Sequence, residues 1–165
     1  MAVVDAFVTQ NASSVAADVD IAARSNGEKV KTLFASFEVA AADSDGSIYR
    51  IGRISPMAII KSIKILNDAI TGATDYDIGV YKRLEVGGAV VSKDCLLNGR
   101  DINAGQATFA EVFAPDPANV GKALYQLASV TDYNEAGSYD LAVTANTVGS
   151  AAGTVALIVE YVDGV

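Results

Sequence analysis

The fold of this chain is decided by a stretch near its C-terminus, Thr154-Val155-Ala156-Leu157-Ile158-Val159-Glu160-Tyr161-Val162. Every second residue from Val155 to Tyr161 is apolar, and in an extended chain these side chains point to one face. The stretch is also rich in β-branched residues, which pack well on a pleated surface. It therefore predicts a β-strand with one face buried in a core.

The same alternation recurs along the chain from residue 30 onwards. Val30 to Ala40 places Leu33, Ala35, Phe37 and Val39 on one face. Other candidate strands are 47–54, 59–66, 76–84, 89–92, 94–97, 108–113, 122–128 and 138–146. Gly, Asn, Asp and Pro separate these runs, 98–106 is the longest irregular stretch, and no run has sustained helical spacing of apolar residues. The pattern predicts an all-β protein.

Eight or nine main strands predict a jelly-roll-like β-sandwich, in which two four-stranded sheets pack face to face. An immunoglobulin-like sandwich is the alternative, but its usual Cys…Trp…Cys core is absent, because the chain has 1 Cys and 0 Trp. Residues 1–28 lack a clean period and end near the turn signal Asn26-Gly27. We therefore expect an extended N-terminal arm over residues 1–28 and a β-sandwich domain over 29–165.

Composition argues against several classes of function. A net charge of -8 repels phosphates, so nucleic-acid binding is not expected, and no apolar stretch predicts a membrane-spanning helix. The chain contains 0 His, which removes the commonest general base and neutral metal ligand. The single cysteine, Cys95, is predicted to be a buried and inert thiol in a chain that folds in a reducing cytoplasm. We expect no enzymatic activity, no bound metal and no cofactor.

One acidic motif, Asp43-Ser44-Asp45-Gly46-Ser47, has some of the character of a calcium-binding loop. Aligning Gly46 with the invariant glycine of an EF-hand loop puts Ala41 at the first ligand position. The same alignment puts Gly52 where the bidentate Glu belongs. We interpret the motif as a hairpin turn, with a weak surface calcium site as the alternative.

Three neighbouring motifs carry a likeness beyond composition. They are Gly46-Ser47-Ile48-Tyr49-Arg50, then Asn67-Asp68, then Thr74-Asp75-Tyr76-Asp77-Ile78-Gly79-Val80-Tyr81. Together they make residues 46–82 resemble structural proteins of tailed bacteriophages. The resemblance implies a jelly-roll decoration or cement protein on the capsid surface of the virion. Its implied partners are the major capsid protein and further copies of itself, as a homo-trimer or homo-dimer.

Two other functions remain open on the sequence. One is a tail, collar or fibre-base component of a virion, and the other is a carbohydrate-binding β-sandwich module. The resemblance transfers no individual binding residues, because the shared motifs belong to the framework.

Contacts with partners are expected from the arm and from the basic residues. An extended arm can lie across neighbouring subunits and add a strand to a sheet by β-augmentation. The basic residues between positions 50 and 64 stand out in an otherwise acidic chain. The candidate contact residues are Val3, Val4, Phe7, Val8, Arg50, Arg53, Lys61, Lys64 and Arg100.

Overall fold

A computed structural model describes residues 5–7, 29–131 and 137–163 of the chain. The strands in these ranges are β1 (Asp5–Phe7), β2 (Val30–Val39), β3 (Ser47–Ile54), β4 (Ile59–Asn67), β5 (Asp75–Lys82), β6 (Val90–Arg100), β7 (Gln106–Glu111), β8 (Tyr139–Thr147) and β9 (Gly153–Val162). One short helix, α1 (Leu124–Leu127), and two 3-10 turns join them. No helix in the described ranges is long and apolar enough to cross a membrane.

The strands form two sheets that pack face to face. One sheet has the order β1-β3-β8-β5-β6, and the other has the order β2-β9-β4-β7. Strand β1 runs parallel to β3, whereas the remaining pairs are antiparallel. Strands that follow each other in the sequence mostly lie in opposite sheets, as in the double Greek key of a jelly roll. The predicted jelly-roll-like sandwich is confirmed, and the immunoglobulin-like alternative is set aside.

The core lies between the two sheets. The stretch that predicts the fold forms β9, whose Val155, Leu157 and Val159 are fully buried. The ring of Phe37 on β2 stacks on that of Tyr49 on β3, with centroids 4.5 Å apart, and so joins one sheet to the other. The alternating apolar residues of β9 therefore form part of the core, as the sequence predicts.

Only β1 represents the predicted arm among the described residues. Its Asp5–Phe7 pairs with Ile48–Arg50 and adds a short strand beside β3. Residues 1–4 and 8–28 lie outside the described ranges. The division into an arm and a domain at residue 28 stays a prediction.

One strand prediction is wrong, and two others describe parts of a single strand. Residues 122–128, expected to be a strand, contain the single helical turn α1, which is too short to show a helical period. The turn is anchored because the backbone N–H of Leu124 donates to the carbonyl of Ala58 at 2.8 Å. The two runs expected at 89–92 and 94–97 belong to one strand, β6, which continues to Arg100 and shortens the expected loop to 101–105.

The acidic motif at residues 43–47 is not a hairpin turn. It belongs to the connection between β2 and β3, which lie in different sheets. The sequence shows that a turn is present but carries no information on which strands pair across it.

Strand β6 pairs with β5, and part of its backbone lies very close to Gly79 of β5. Val80 lies opposite Ser92 while Ile78 lies opposite Leu97, so that residues 93–96 bulge out of the ladder. A Cβ atom on Gly79 would lie 2.1 Å from the carbonyl oxygen of Ser92. A glycine is therefore required at this position by the backbone that passes over it.

The replacement Gly79→Ala is expected to lower the free energy of unfolding by about 3 kcal/mol, because the obstructing atoms are backbone. Gly52→Ala is the matched control, since its added Cβ would meet only the side chain of Leu33, at 2.8 Å. That side chain can rotate away, so a loss of about 1 kcal/mol or less is expected. Urea unfolding measures both, and equal losses would contradict the close crossing of β6 over Gly79.

Candidate functional site at one end of the sandwich

The sandwich has two ends, built from different loops. Loops 40–46, 68–74, 101–105 and 148–152 meet at one end, which we call the acidic end. The connections 55–58, 83–89 and the described parts of 112–138 meet at the other, which we call the apolar end. The loops at each end bond to one another: Ser150 N–H donates to Thr71 O at 2.8 Å, and Tyr125 N–H to Pro56 O at 2.9 Å.

The loops of the acidic end contain four carboxylates and no Lys or Arg. These are Asp43, Asp45, Asp68 and Asp101. Asp43 accepts a hydrogen bond from the Tyr49 hydroxyl at 2.7 Å, and Asp45 accepts one from the Val148 N–H at 2.9 Å. Both bonds fix the loop to the sandwich. No group of three or more His, Cys, Asp or Glu in the described ranges is placed to hold a metal ion.

The apolar end exposes large hydrophobic side chains. Among the described residues, Leu84 is 37% exposed, Val86 57%, Val90 58% and Val120 68%. Three of these belong to the connection between β5 and β6 or to its edge, where a 3-10 turn spans Leu84–Val86. Apolar side chains that cluster on a surface are typical of interaction sites.

A buried ion pair holds this connection in place. Arg50 on β3 and Asp140 on β8 are both fully buried, with Nη1 and Oδ2 3.2 Å apart. Arg50 also donates to the carbonyls of Gly88 at 2.9 Å and Lys82 at 3.1 Å. Asp140 accepts a hydrogen bond from the Leu84 N–H at 2.9 Å. Because these bonds reach both ends of the connection, the pair fixes its backbone.

Glycine permits the loop to close over Arg50. Gly88 has φ +60°, and a Cβ there would lie 2.6 Å from Arg50 Nη2. Arg53, which is partly exposed, approaches Asp140 with Nε 3.4 Å from Oδ1 and also pairs with Glu85 in the 3-10 turn. Two residues of β3 therefore hold this connection: Arg53 binds Glu85 at the surface, and the buried Arg50 binds the carbonyl of Gly88.

The basic residues predicted as contacts do not form one surface. Arg53 and Lys61 lie near the apolar end, at the end of β3 and the start of β4. Lys64 lies further along β4 and pairs with Glu160 at 3.8 Å. Arg100 lies at the last position of β6, beside the acidic end.

Arg50 leaves the set of candidate contacts. Its side chain is fully buried and pairs with Asp140. It is therefore not accessible to a partner protein. Val3, Val4 and Val8 lie outside the described residues, and of Phe7 only the backbone in β1 is described. These arm residues stay predictions.

Sequence reasoning missed the exposed apolar residues of the β5–β6 connection. The predicted strand 76–84 ends at Lys82, and the chain then turns through Leu84, Glu85 and Val86. The pair Gly87-Gly88 was the available signal, since two consecutive glycines mark a tight turn and leave the flanking apolar residues at its tip.

The sequence predicts a buried, inert Cys95, and the structure places it partly buried in β6. It packs against the core, and this burial raises the pKa of the thiol to about 11. The thiolate, which is the nucleophilic form, is therefore scarce near pH 7.

Solved structures of two phage capsids contain chains that are similar to this one. The chain in the capsid of Ralstonia phage GP4 is 17% identical, with a TM-score of 0.57, and the match covers 83% of this chain and 86% of that chain. The chain in the capsid asymmetric unit of cyanophage Pam1 is 18% identical, with a TM-score of 0.49, and the match covers 86% and 91%. No family model and no curated protein matches the sequence. At this identity, the likeness to the Ralstonia phage chain establishes a shared fold.

Removing one member of the buried ion pair should destabilise the fold strongly. Arg50→Met and Asp140→Asn are each expected to lower the free energy of unfolding by about 3–5 kcal/mol, because the remaining group stays buried without its partner. The double variant should lose clearly less than the sum. Lys64→Met is the control: its pair with Glu160 is partly exposed, so about 0–1 kcal/mol is expected. Additive losses in urea unfolding would contradict the coupling.

Stability should fall at alkaline pH in a way that depends on Cys95. The folded-state pKa of about 11 lies above the unfolded value near 8.5, so the unfolded chain loses its thiol proton first. The stabilisation is complete below about pH 8.5 and is lost as the pH rises towards 11. Burial raises the pKa of Tyr49 and Tyr76 in the same direction, with effects that begin near pH 10.

The variant Cys95→Ala isolates the thiol. Its urea midpoint should decline less steeply between pH 8.5 and 10 than that of the unmodified chain. An identical decline would show that the thiol does not titrate differently in the folded state.

Proposed function

We propose that this chain is a non-enzymatic structural protein of a bacteriophage virion, a decoration or cement protein that binds the outer capsid lattice and stabilises it. The observation that carries the proposal is the shared fold with a chain in the capsid of Ralstonia phage GP4. Coverage of 83% and 86% means that the two chains have similar lengths and that the likeness spans most of each. The resemblance of residues 46–82 to structural proteins of tailed phages points the same way.

The physical properties of the chain suit such a role. A decoration protein needs a rigid body and a contact surface, and the jelly roll supplies a core between two sheets with loops at both ends. The absence of His from the sequence and the raised pKa of Cys95 support a role without catalysis. The net charge of -8 would limit adhesion to free DNA released near the particle.

Stabilisation would act through mass action. A protein that binds the intact lattice but not its ruptured form adds RT ln(1 + [L]/Kd) per site, about 2.7 kcal/mol at a concentration of 100 Kd. Its partners would be the major capsid protein and further copies of this chain. A homo-trimer or homo-dimer would match a symmetry axis of the lattice.

The N-terminal arm would supply one of the contacts. Within the chain, the backbone of β1 already pairs with the edge of β3, which supports the idea that this segment can extend a sheet. In the virion, residues 1–28 would make the same kind of main-chain bonds to a neighbouring subunit.

Reconstitution tests this function. Purified chain is added to capsids that lack it, and bound copies and the temperature of capsid rupture are measured. We expect saturable binding in a fixed ratio to the major capsid protein and a higher rupture temperature. A chain lacking residues 1–25 should still fold and should bind at least about tenfold more weakly, a difference of about 1.4 kcal/mol or more.

Other results would contradict the proposal. Binding at a single vertex would favour a tail, collar or fibre-base component, and saturable sugar binding without capsid binding would favour a carbohydrate-binding module. Unchanged affinity of the truncated chain would remove the arm from the mechanism while leaving the lattice-binding role.

A further inference from the structure

The two ends of the sandwich differ strongly in charge. At the acidic end, the four loop carboxylates are joined by Glu38 and Asp75 on the adjoining strands. The adjoining bases are Arg100 and Lys93, whose Nζ lies 2.7 Å from Asn146 Oδ1 and 3.4 Å from Asp77 Oδ2. Most Lys and Arg side chains in the described ranges lie at or near the apolar end: Lys29, Lys31, Arg53, Lys61, Lys82, Arg83 and Lys122. A surface that carries excess negative charge is costly to strip of water, so the acidic end is the poorer docking face.

Charge at the apolar end is nearly balanced. The acids near it in the described ranges are Glu85, Glu111, Asp116, Asp140, Glu160 and Asp163. Several of these charges are already paired within the chain, including Arg53 with Glu85 and Lys31 with Asp163. Paired charges can be covered by a partner with a smaller loss of hydration than isolated ones.

The apolar residues at this end are presented on a rigid support. Within the 3-10 turn, Val86 N–H donates to Arg83 O at 3.0 Å and Gly87 N–H donates to Leu84 O at 3.1 Å. The buried Arg50–Asp140 pair fixes the same turn, because Asp140 accepts a hydrogen bond from the Leu84 N–H. A preordered loop loses little conformational freedom when it binds, which favours affinity.

The area of this patch decides between two kinds of occupant. The four side chains are 37–68% exposed, so together they offer well under the ~800 Å² that each partner contributes to a stable complex. The patch is thus too small to hold two copies of the chain together by itself. It suits a partner that is also held at a second point, because linked contacts reinforce each other.

We infer that the apolar end docks on an apolar patch of the capsid protein, while the acidic end points to solvent. The inference rests on the proposed function and deepens it: each copy is attached at two points, through the arm and through Leu84, Val86, Val90 and Val120 at the apolar end.

Site-directed labelling tests the orientation. In a Cys95→Ala background, one variant carries Val86→Cys at the apolar end, and the matched control carries Ala42→Cys at the acidic end. Both positions are exposed. Each is coupled to a polyethylene glycol maleimide and added to capsids that lack the chain. The label at position 86 should weaken binding by at least about tenfold, and the label at position 42 should leave it unchanged.

A smaller change distinguishes a lost contact from simple obstruction. The double variant Val86→Ser with Val120→Ser should also bind more weakly, whereas Ala41→Ser with Ala42→Ser should bind as the unmodified chain does. Blocked binding by the label at position 42 but not at position 86 would overturn the inference and leave the proposed function intact. A lower sedimentation mass of the Val86→Ser, Val120→Ser variant would identify a face between copies and would also overturn it. Failure of the unlabelled chain to bind capsids would overturn both.

Discussion

The buried pair of Arg50 and Asp140 is the interaction on which the apolar end depends. Two charges are removed from water, which is unfavourable unless the remaining hydrogen-bonding groups are satisfied. Here the backbone supplies the rest: the carbonyls of Lys82 and Gly88 accept from Arg50, and the N–H of Leu84 donates to Asp140. A pairing between β3 and β8 thereby determines the shape of a loop between β5 and β6.

This constraint connects the fold to the proposed role. The jelly roll places three connections at the apolar end, and the ion pair keeps one of them from folding its apolar residues inward. Val86 and Val90 are then fixed in exposed positions at the surface. In the proposed role they would contact a partner, while the acidic end would remain hydrated. A particle protein of this kind would obtain orientation from its charge distribution and attachment from its apolar end and arm.

Much of the fold follows from the sequence because it depends on local periodicity. The alternation in 154–162 and in 30–40 predicts β9 and β2 correctly, and the number of such runs predicts the sandwich. The residues of the apolar end are harder to predict from the sequence. Arg50 was expected at the surface because a charged residue usually lies there, and its partner Asp140 is distant in the sequence. Conversely, Leu84 and Val86 are apolar and would ordinarily be assigned to a core; their exposure follows from the 3-10 turn that the Arg50–Asp140 pair holds in place.

Image reconstruction of phage capsids to which the purified chain has been bound tests the central claim most directly. The account predicts jelly-roll density repeated over the outer capsid lattice, with the loop at residues 83–89 against the shell and the loop at residues 40–46 facing solvent. Density confined to the tail vertex, or no such density on the particle, would contradict it.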